Sequence, residues 1–587
     1  MEQRKKTKSF KVLMRSIREY KKYSILTPSL VVIEVVFEVL IPLIMAQMID
    51  QMTGNTMEPI YKFGTILILM AFSSLFAGMF AGKFGAIAST GFAKNLRKDI
   101  FYRIQDYSFT ELDEFSTSSL VTRLTTDVTN VQNSYQMVIR IAIRTPLMMI
   151  FAFIMSFTIS WELGLIFVVV IPLLGGGLAL ILTRVVPLFR RIFRKYDDLN
   201  NSVQENVSGI RVVKSFVRDE YEINKFDKAA TEVKKDFVSA EKIIALNNPL
   251  MMFSMYVVTL LVSYFGARMI INSSGLALTT GELSSLITYS TQILMSVMMF
   301  SMVFVMIAIS TESFNRIAEV LTTNSTLDPN VEGDKNVENG SVEFKNVCFS
   351  YSKEAKKYAL ENINLRIESG ETIGVLGVTG SSKSTLVQLI PRLYDVSKGE
   401  VLVGNKNVKE YDLKSLRDEV AVVLQKNVLF SGTIAENIRW GKKDASIDEV
   451  KEVARLACAD EFIEQMPDKY DTHIERGGTN VSGGQKQRLC IARALIKKPK
   501  VIIFDDSTSA VDTKTDAKIR EAMAMMIPDT TKIIIAQRVD SIKDADRIIV
   551  MDNGRVGAFD THENLLKNNK AYKEVFESQT KSAGGAE

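Results

Sequence analysis

Four stretches of this chain contain no charged side chain and are long enough to cross a lipid bilayer: Phe63 to Gly82, Leu163 to Thr183, Ile243 to Ala267 and Leu283 to Thr311. About 20 apolar residues in a helix span the ~30 Å hydrocarbon core, where every backbone amide must find its partner inside the segment. Two further stretches qualify despite charged interruptions. Ser24 to Met48 carries Glu34 and Glu38, and Val138 to Trp161 carries Arg140 and Arg144. Six helical crossings are therefore expected. The first lies too far from Met1, and runs too long, to be a cleaved signal peptide.

The rest of the chain is different in kind. Of 587 residues, 47% are hydrophobic and 24% are charged, a mixture that arises because apolar residues crowd the first half and charges the second. A membrane half joined to a soluble half follows. The net charge of +5 is small for this length and does not point to nucleic acid as a partner. Cys348, Cys458 and Cys490 lie far apart, without disulfide or metal-ligand spacing, and read as free thiols.

Lysine and arginine in the connections set the orientation. Nine precede Tyr23, and the segments from Ser89 to Met137 and from Arg184 to Lys242 are strongly basic. The connection from Ile49 to Ile60 has none. Both termini are expected in the cytoplasm of a bacterial cell, with short outer loops and with crossings 2 to 5 continuing as helices beyond the inner membrane surface. Residues 1–22 read as an amphipathic elbow helix on that surface, 23–320 as the six-helix domain, 321–339 as a linker and 340–587 as a nucleotide-binding domain.

Glu34 and Glu38 share one helix face. A charge at mid-membrane costs ~2.5–3.5 kcal/mol on insertion scales, so the pair should face water or partner groups. Two readings stay open: a substrate-cavity wall favouring cations, or pairing with Arg140 or Arg144 for packing. Met295, Met298, Met299, Met302 and Met306 form one stripe on the last crossing, where soft side chains suit either a pocket for varied apolar shapes or plain packing against helices and lipid.

From about Gly340 short β-rich runs alternate with helices, an α/β layout. The strand Thr372 to Leu376 enters Gly377-Val378-Thr379-Gly380-Ser381-Ser382-Lys383-Ser384-Thr385 and then a helix. Such a loop offers backbone N–H groups and a helix N-terminus to phosphates, with Lys383 on the β/γ-phosphates and the Ser384 hydroxyl on Mg²⁺. Ser382 stands in place of the second glycine of the G-x-x-x-x-G-K-[ST] pattern, adding a side chain where backbone and phosphate approach closely, so affinity is expected to be weakened. Val501 to Phe504 is a second buried strand ending in Asp505-Asp506, an acidic end suited to Mg²⁺. Between them, Val481-Ser482-Gly483-Gly484-Gln485 opens a basic helix and makes a second phosphate-binding end. One domain needs two such ends only if the second serves a nucleotide held by a neighbour.

Taken together, these motifs resemble a half-transporter of the ABC exporter superfamily over the whole length. The resemblance implies an ATPase coupled to transport, with ATP and Mg²⁺ as ligands. Tyr351 matches the residue that stacks on adenine, Gly377 to Thr385 the Walker A loop, and Gln425 the Q-loop residue near Mg²⁺. Val481 to Gln485 matches the signature motif offered to the partner's ATP. Asp505 matches the Walker B metal carboxylate, and Ser509 and Asp512 the D-loop. Glu475 to Gly478 resembles the stretch that touches the coupling helices, themselves implied near Glu111 to Ser119 and Val217 to Lys225. Implied Mg²⁺ contacts are Ser384, Gln425 and Asp505, and implied substrate-cavity residues are Glu34, Glu38, Met295 and Met299.

Two departures stand out. Where the family has a catalytic Glu after the Walker B Asp, this chain has Asp506, and where it has the switch His, this chain has Gln537. Losing one methylene retracts the carboxylate by about 1 Å, a misplacement that can cost ~10²-fold. Glutamine can donate to a γ-phosphate but cannot become cationic. The resemblance associates such a pair with the degenerate-site subunit of a heterodimeric exporter of hydrophobic and amphipathic compounds. The expected partners are a second half-transporter, membrane lipid and small hydrophobic substrates. Alternatives are a homodimeric lipid or peptide exporter, and an ATP-gated subunit that does not pump.

Overall fold

The computed structural model describes residues 10–52, 57–327, 333–352, 355, 357–506 and 513–584. It contains six helices long and apolar enough to cross a membrane, followed by an α/β domain. Contacts divide the chain into two compact units. One comprises residues up to Gln105 with Ser116–Thr323, and the other Asp106–Phe115 with residues from Asn324 on.

In the first unit the long helices are Lys21–Gln51, Glu58–Gln105, Val128–Ile159, Trp161–Ser208, Asn247–Ser273 and Thr280–Thr322, with Asp219–Ile244 leading into the fifth. Several exceed the bilayer's ~20 residues twofold, as the basic, helically patterned inner segments predicted. The first helix approaches the second along a stripe of small residues, Ala77, Ala81, Gly85 and Ala88, all buried. A Cβ on Gly78 would lie 2.9 Å from a Glu34 carboxylate oxygen, so glycine leaves room there for the Glu34 side chain.

That contact brings Glu34 to its partner. Arg144 Nη1 donates to Glu34 at 3.0 Å, and Nη2 donates to both Glu38 oxygens at 2.7 and 2.8 Å. Arg140 lies against Gly82 on the same stretch of the second helix. Both carboxylates are thus engaged by the Arg144 guanidinium, the pairing that one of the two open readings expected, because an unpaired charge at that depth is costly. Met295, Met299 and Met302 on the sixth helix are exposed, Met302 the most, at 65%.

At one end of the bundle, fully buried Asp127 accepts from Arg316 at 2.5 and 2.9 Å and from Ser313 at 2.8 Å, tying the third crossing to the sixth. At the other end, Asp50 accepts from Thr279 Oγ1 and the Gly281 amide at 2.6 and 2.8 Å, satisfying the first turn of the sixth helix.

The short helices expected at the inner turns lie partly elsewhere. Phe109–Glu114 and Thr117–Thr122 occupy the first turn. In the second, the short helix is Ile210–Ser215, and Val217–Lys225 covers a sharp turn, with Val217 at φ 52°, and the start of a long helix. Asp219, Glu220 and Glu222 crowd the first turn of that helix, where the macrodipole favours acids, so it starts at 219.

In the second unit, a six-stranded sheet runs in the order Arg555–Asp560, Arg547–Asp552, Thr372–Gly377, Thr531–Ile535, Val501–Asp505 and Val420–Val423. All neighbours are parallel except the first pair. A four-stranded antiparallel sheet packs Leu360–Ile367 and Lys398–Val403 on either side of Val342–Phe349. The parallel strands are buried on both faces and read as unbroken apolar runs, as with Val501-Ile502-Ile503-Phe504.

Candidate functional site

The strand order explains which residues meet. In an open parallel sheet, ligands bind beyond the carboxyl ends of the strands. Ile535 is level with both Val375 and Asp505, and Val423 is level with Phe504. The chain leaving each strand therefore delivers the Gly377 loop, Gln537, Asp506 and Gln425 to one edge.

At that edge Ser384 Oγ donates to Asp505 Oδ1 at 2.7 Å, and Asp505 is buried. Burial pushes the Asp505 carboxyl above the usual carboxylate range, and the neighbouring Asp506 charge adds to the effect. A hydroxyl beside a carboxylate is a hard-oxygen pair of the kind Mg²⁺ takes, so these two residues fit that ion. Lys383 Nζ donates to the carbonyls of Gly377 and Val378 at 2.7 and 3.0 Å, folded over its own loop. Desolvation there pulls its pKa below the usual lysine range.

Asp506 is held at Oδ2 by two amides, Gln537 Nε2 at 2.7 Å and Gln425 Nε2 at 3.3 Å. Its backbone has φ 47°, a left-handed conformation that Asp tolerates better than most residues. Gln425 thus contacts the second acidic residue, whereas the expected Mg²⁺ contacts included it together with Ser384 and Asp505.

Ser382 is also left-handed, at φ 68° and ψ 28°. The departure from glycine thus has a backbone cost besides the added side chain, roughly 1–2 kcal/mol for a residue with a Cβ. Ser382→Gly is expected to raise the melting temperature of the nucleotide-binding domain by about 2–4 °C per kcal/mol relieved. Scanning calorimetry of the variant checks this, and an unchanged transition contradicts it.

Tyr351 is half-exposed, its hydroxyl 2.9 Å from Thr385 Oγ1 and its ring edge-on to Phe349 and Tyr394. An accessible aromatic face beside the phosphate loop can stack on a base. Tyr394 was not foreseen. Its hydroxyl donates to Asp113 Oδ2 at 2.6 Å, and its ring meets Phe109, linking the aromatic group to the Phe109–Glu114 helix. Burial and the Asp113 charge hold the Tyr394 phenol well above its usual range. No local pattern joins residues 281 apart in the sequence.

Val481 is buried and Ser482 caps the helix Gly483–Leu495, accepting from the Gln485 amide while Gln485 Oε1 accepts from the Ser482 amide. Reciprocal capping fixes the serine and presents the two glycines at a helix start. Ser509 and Asp512 lie outside the described residues.

The family model for the ABC transporter transmembrane region matches residues 25–297, and a second family model, ABC transporter, matches 360–509. The chain is 36% identical to an uncharacterised ABC transporter ATP-binding protein, YfiB, of Bacillus subtilis, over 97% of this chain and 98% of that one. It is 33% identical to an ATP-dependent lipid A-core flippase of Hahella chejuensis, over 89% of each. Among solved structures, a bacterial Atm1-family ABC exporter with ATP bound shares the fold, with a TM-score of 0.82 at 24% identity, over 96% of this chain and 99% of that one.

Proposed function

The chain belongs to the ABC transporter family, as a multi-pass half-transporter carrying its own ATP-binding domain, and from that premise we propose that it is the degenerate-site subunit of a heterodimeric exporter. It would move hydrophobic and amphipathic compounds outward across the bacterial cytoplasmic membrane, with both termini in the cytoplasm. Its domains in this reading are the elbow at 1–22, the transmembrane domain at 23–320, the linker at 321–339 and the nucleotide-binding domain at 340–587.

The observation that carries the reading is the pair of amides on Asp506. Water attacking a γ-phosphate must be oriented by, or lose a proton to, a carboxylate at this position. Here that carboxylate is one methylene short, and Oδ2 accepts from Gln537 and Gln425. No imidazole stands at 537 to carry positive charge. Tyr351 would stack on the base and Lys383 would meet the phosphates. Ser384 and Asp505 would hold Mg²⁺, which when bound neutralises charge on the transferring phosphoryl group. ATP would bind this pocket and turn over slowly. Ser482 and the two glycines after it would complete the partner's pocket, and the Met295, Met299 and Met302 face would line the substrate path.

In the purified complex, Asp506→Asn is expected to leave ATPase activity within about twofold, whereas removing the partner's Walker B glutamate lowers it by ~10²-fold or more. A large loss from Asp506→Asn contradicts the reading. A lipid is a second candidate cargo, favoured by the 33% identity to a protein named as a lipid A-core flippase. Proteoliposome assays with a fluorescent lipid and with a dye separate the two, and absence of ATP-driven movement of either would instead point to an ATP-gated subunit.

A further inference from the structure

We propose that Gln579, on the C-terminal helix Lys570–Gly584, is a positioning residue that fixes the backbone from which Gln537 reaches Asp506. The side-chain amide of Gln579 makes two hydrogen bonds to one short loop: Oε1 accepts from the Val539 amide at 2.8 Å, and Nε2 donates to the Gln537 carbonyl at 2.9 Å. The strand Thr531–Ile535 has ended before this loop, and the turn Val539–Ser541 has just begun. Gln579 therefore supplies the donor and acceptor that a neighbouring strand would supply, at a C=O and an N–H two residues apart.

The helix carrying it is seated firmly. Tyr572 is fully buried, its hydroxyl 2.6 Å from His562 Nδ1, and Phe576 packs edge-on against the His562 ring at 5.4 Å. Positions 572, 576 and 579 share one helix face, so the anchoring residues fix how far the Gln579 amide reaches. From the loop it holds, Gln537 Nε2 extends 2.7 Å to Asp506. The C-terminal helix is thus linked to the pocket carboxylate through one side chain, and loosening it frees Gln537 without touching nucleotide. Only an amide satisfies both backbone groups, since a carboxylate at 579 would face the Gln537 carbonyl with an acceptor.

This inference rests on the slow-pocket reading only for the quantity measured, ATP retention. In the full complex, labelled Mg-ATP retained on this chain after desalting is followed over time, with photo-crosslinking to assign the chain. Gln579→Ala is expected to shorten retention about tenfold, with Gln579→Glu at least as damaging. Alanine favours the helix, so the melting temperature should hold. In a Gln537→Ala background, Gln579→Ala should add less than about twofold, because both changes remove the same contact. Unchanged retention in Gln579→Ala overturns the proposal, as does an equal loss in both backgrounds. If the unaltered chain instead releases ATP at every turnover, the slow-pocket reading fails, and the same four proteins compared by turnover rate still test whether 579 acts through 537.

Discussion

The chain carrying both Asp506→Glu and Gln537→His, purified without a second half-transporter, is expected to hydrolyse ATP about 10²-fold faster than the unaltered chain. Glutamate restores the missing methylene, and histidine supplies an imidazole that can carry charge where Gln537 now donates a neutral amide. Both changes are needed together. With Asp506→Glu alone, Gln537 still competes for the carboxylate it now holds at 2.7 Å, and with Gln537→His alone the carboxylate remains short. Each single variant should therefore gain well under the square root of the double gain. The left-handed backbone at 506 makes glutamate less comfortable than aspartate there, a cost in stability that calorimetry would register separately from turnover. A steady-state ATPase assay of the four proteins checks the expectation, and equal rates in all four would sink it.

Arg144→Ala is expected to destabilise the transmembrane domain by roughly 1–3 kcal/mol, the range for leaving a buried polar group without its partner, since Glu34 is buried while Arg144 and Glu38 are partly exposed. Two carboxylates depend on that guanidinium. Glu34 is buried, and the pairing distances of 2.7 to 3.0 Å leave no room for water between the charges. The visible result should be loss of monodisperse protein on extraction from the membrane. Adding Glu34→Gln and Glu38→Gln to Arg144→Ala should recover most of the yield, because the uncompensated charges are then gone. Yield lost equally in the triple variant would mean that Arg144 matters for its shape and not for its charge.

The crossings could be read from the chain because a bilayer leaves few options: a charge-free run of that length must be a helix with its amides paired internally. The phosphate loop and the acidic strand end were readable because each is a contiguous segment. What was not readable depends on separation in sequence. The register that brings Gln537 between the Gly377 loop and Asp506 comes from strand order, which periodicity does not carry. Arg144 was one of two named partners for Glu34 and Glu38, and the choice needed the close approach at Gly78. Asp113 with Tyr394, and Gln579 with the loop after Gln537, join residues with no local signature at all. The short helix of the second long connection lies at Ile210–Ser215, ahead of the expected Val217 to Lys225, because the chain breaks at Gly209 and the acids from Asp219 on start a new helix.

The most direct measurement is the steady-state ATP turnover of this polypeptide alone in lipid nanodiscs, at saturating Mg-ATP. A pocket whose water-directing carboxylate is short and tied by glutamine should run about 10²-fold below the ~10 s⁻¹ typical of enzymes, at roughly 0.1 s⁻¹ or less. Turnover near 10 s⁻¹ with no other half-transporter present would show that Asp506 and Gln537 form a competent site, and the account of an unequal pair would be wrong.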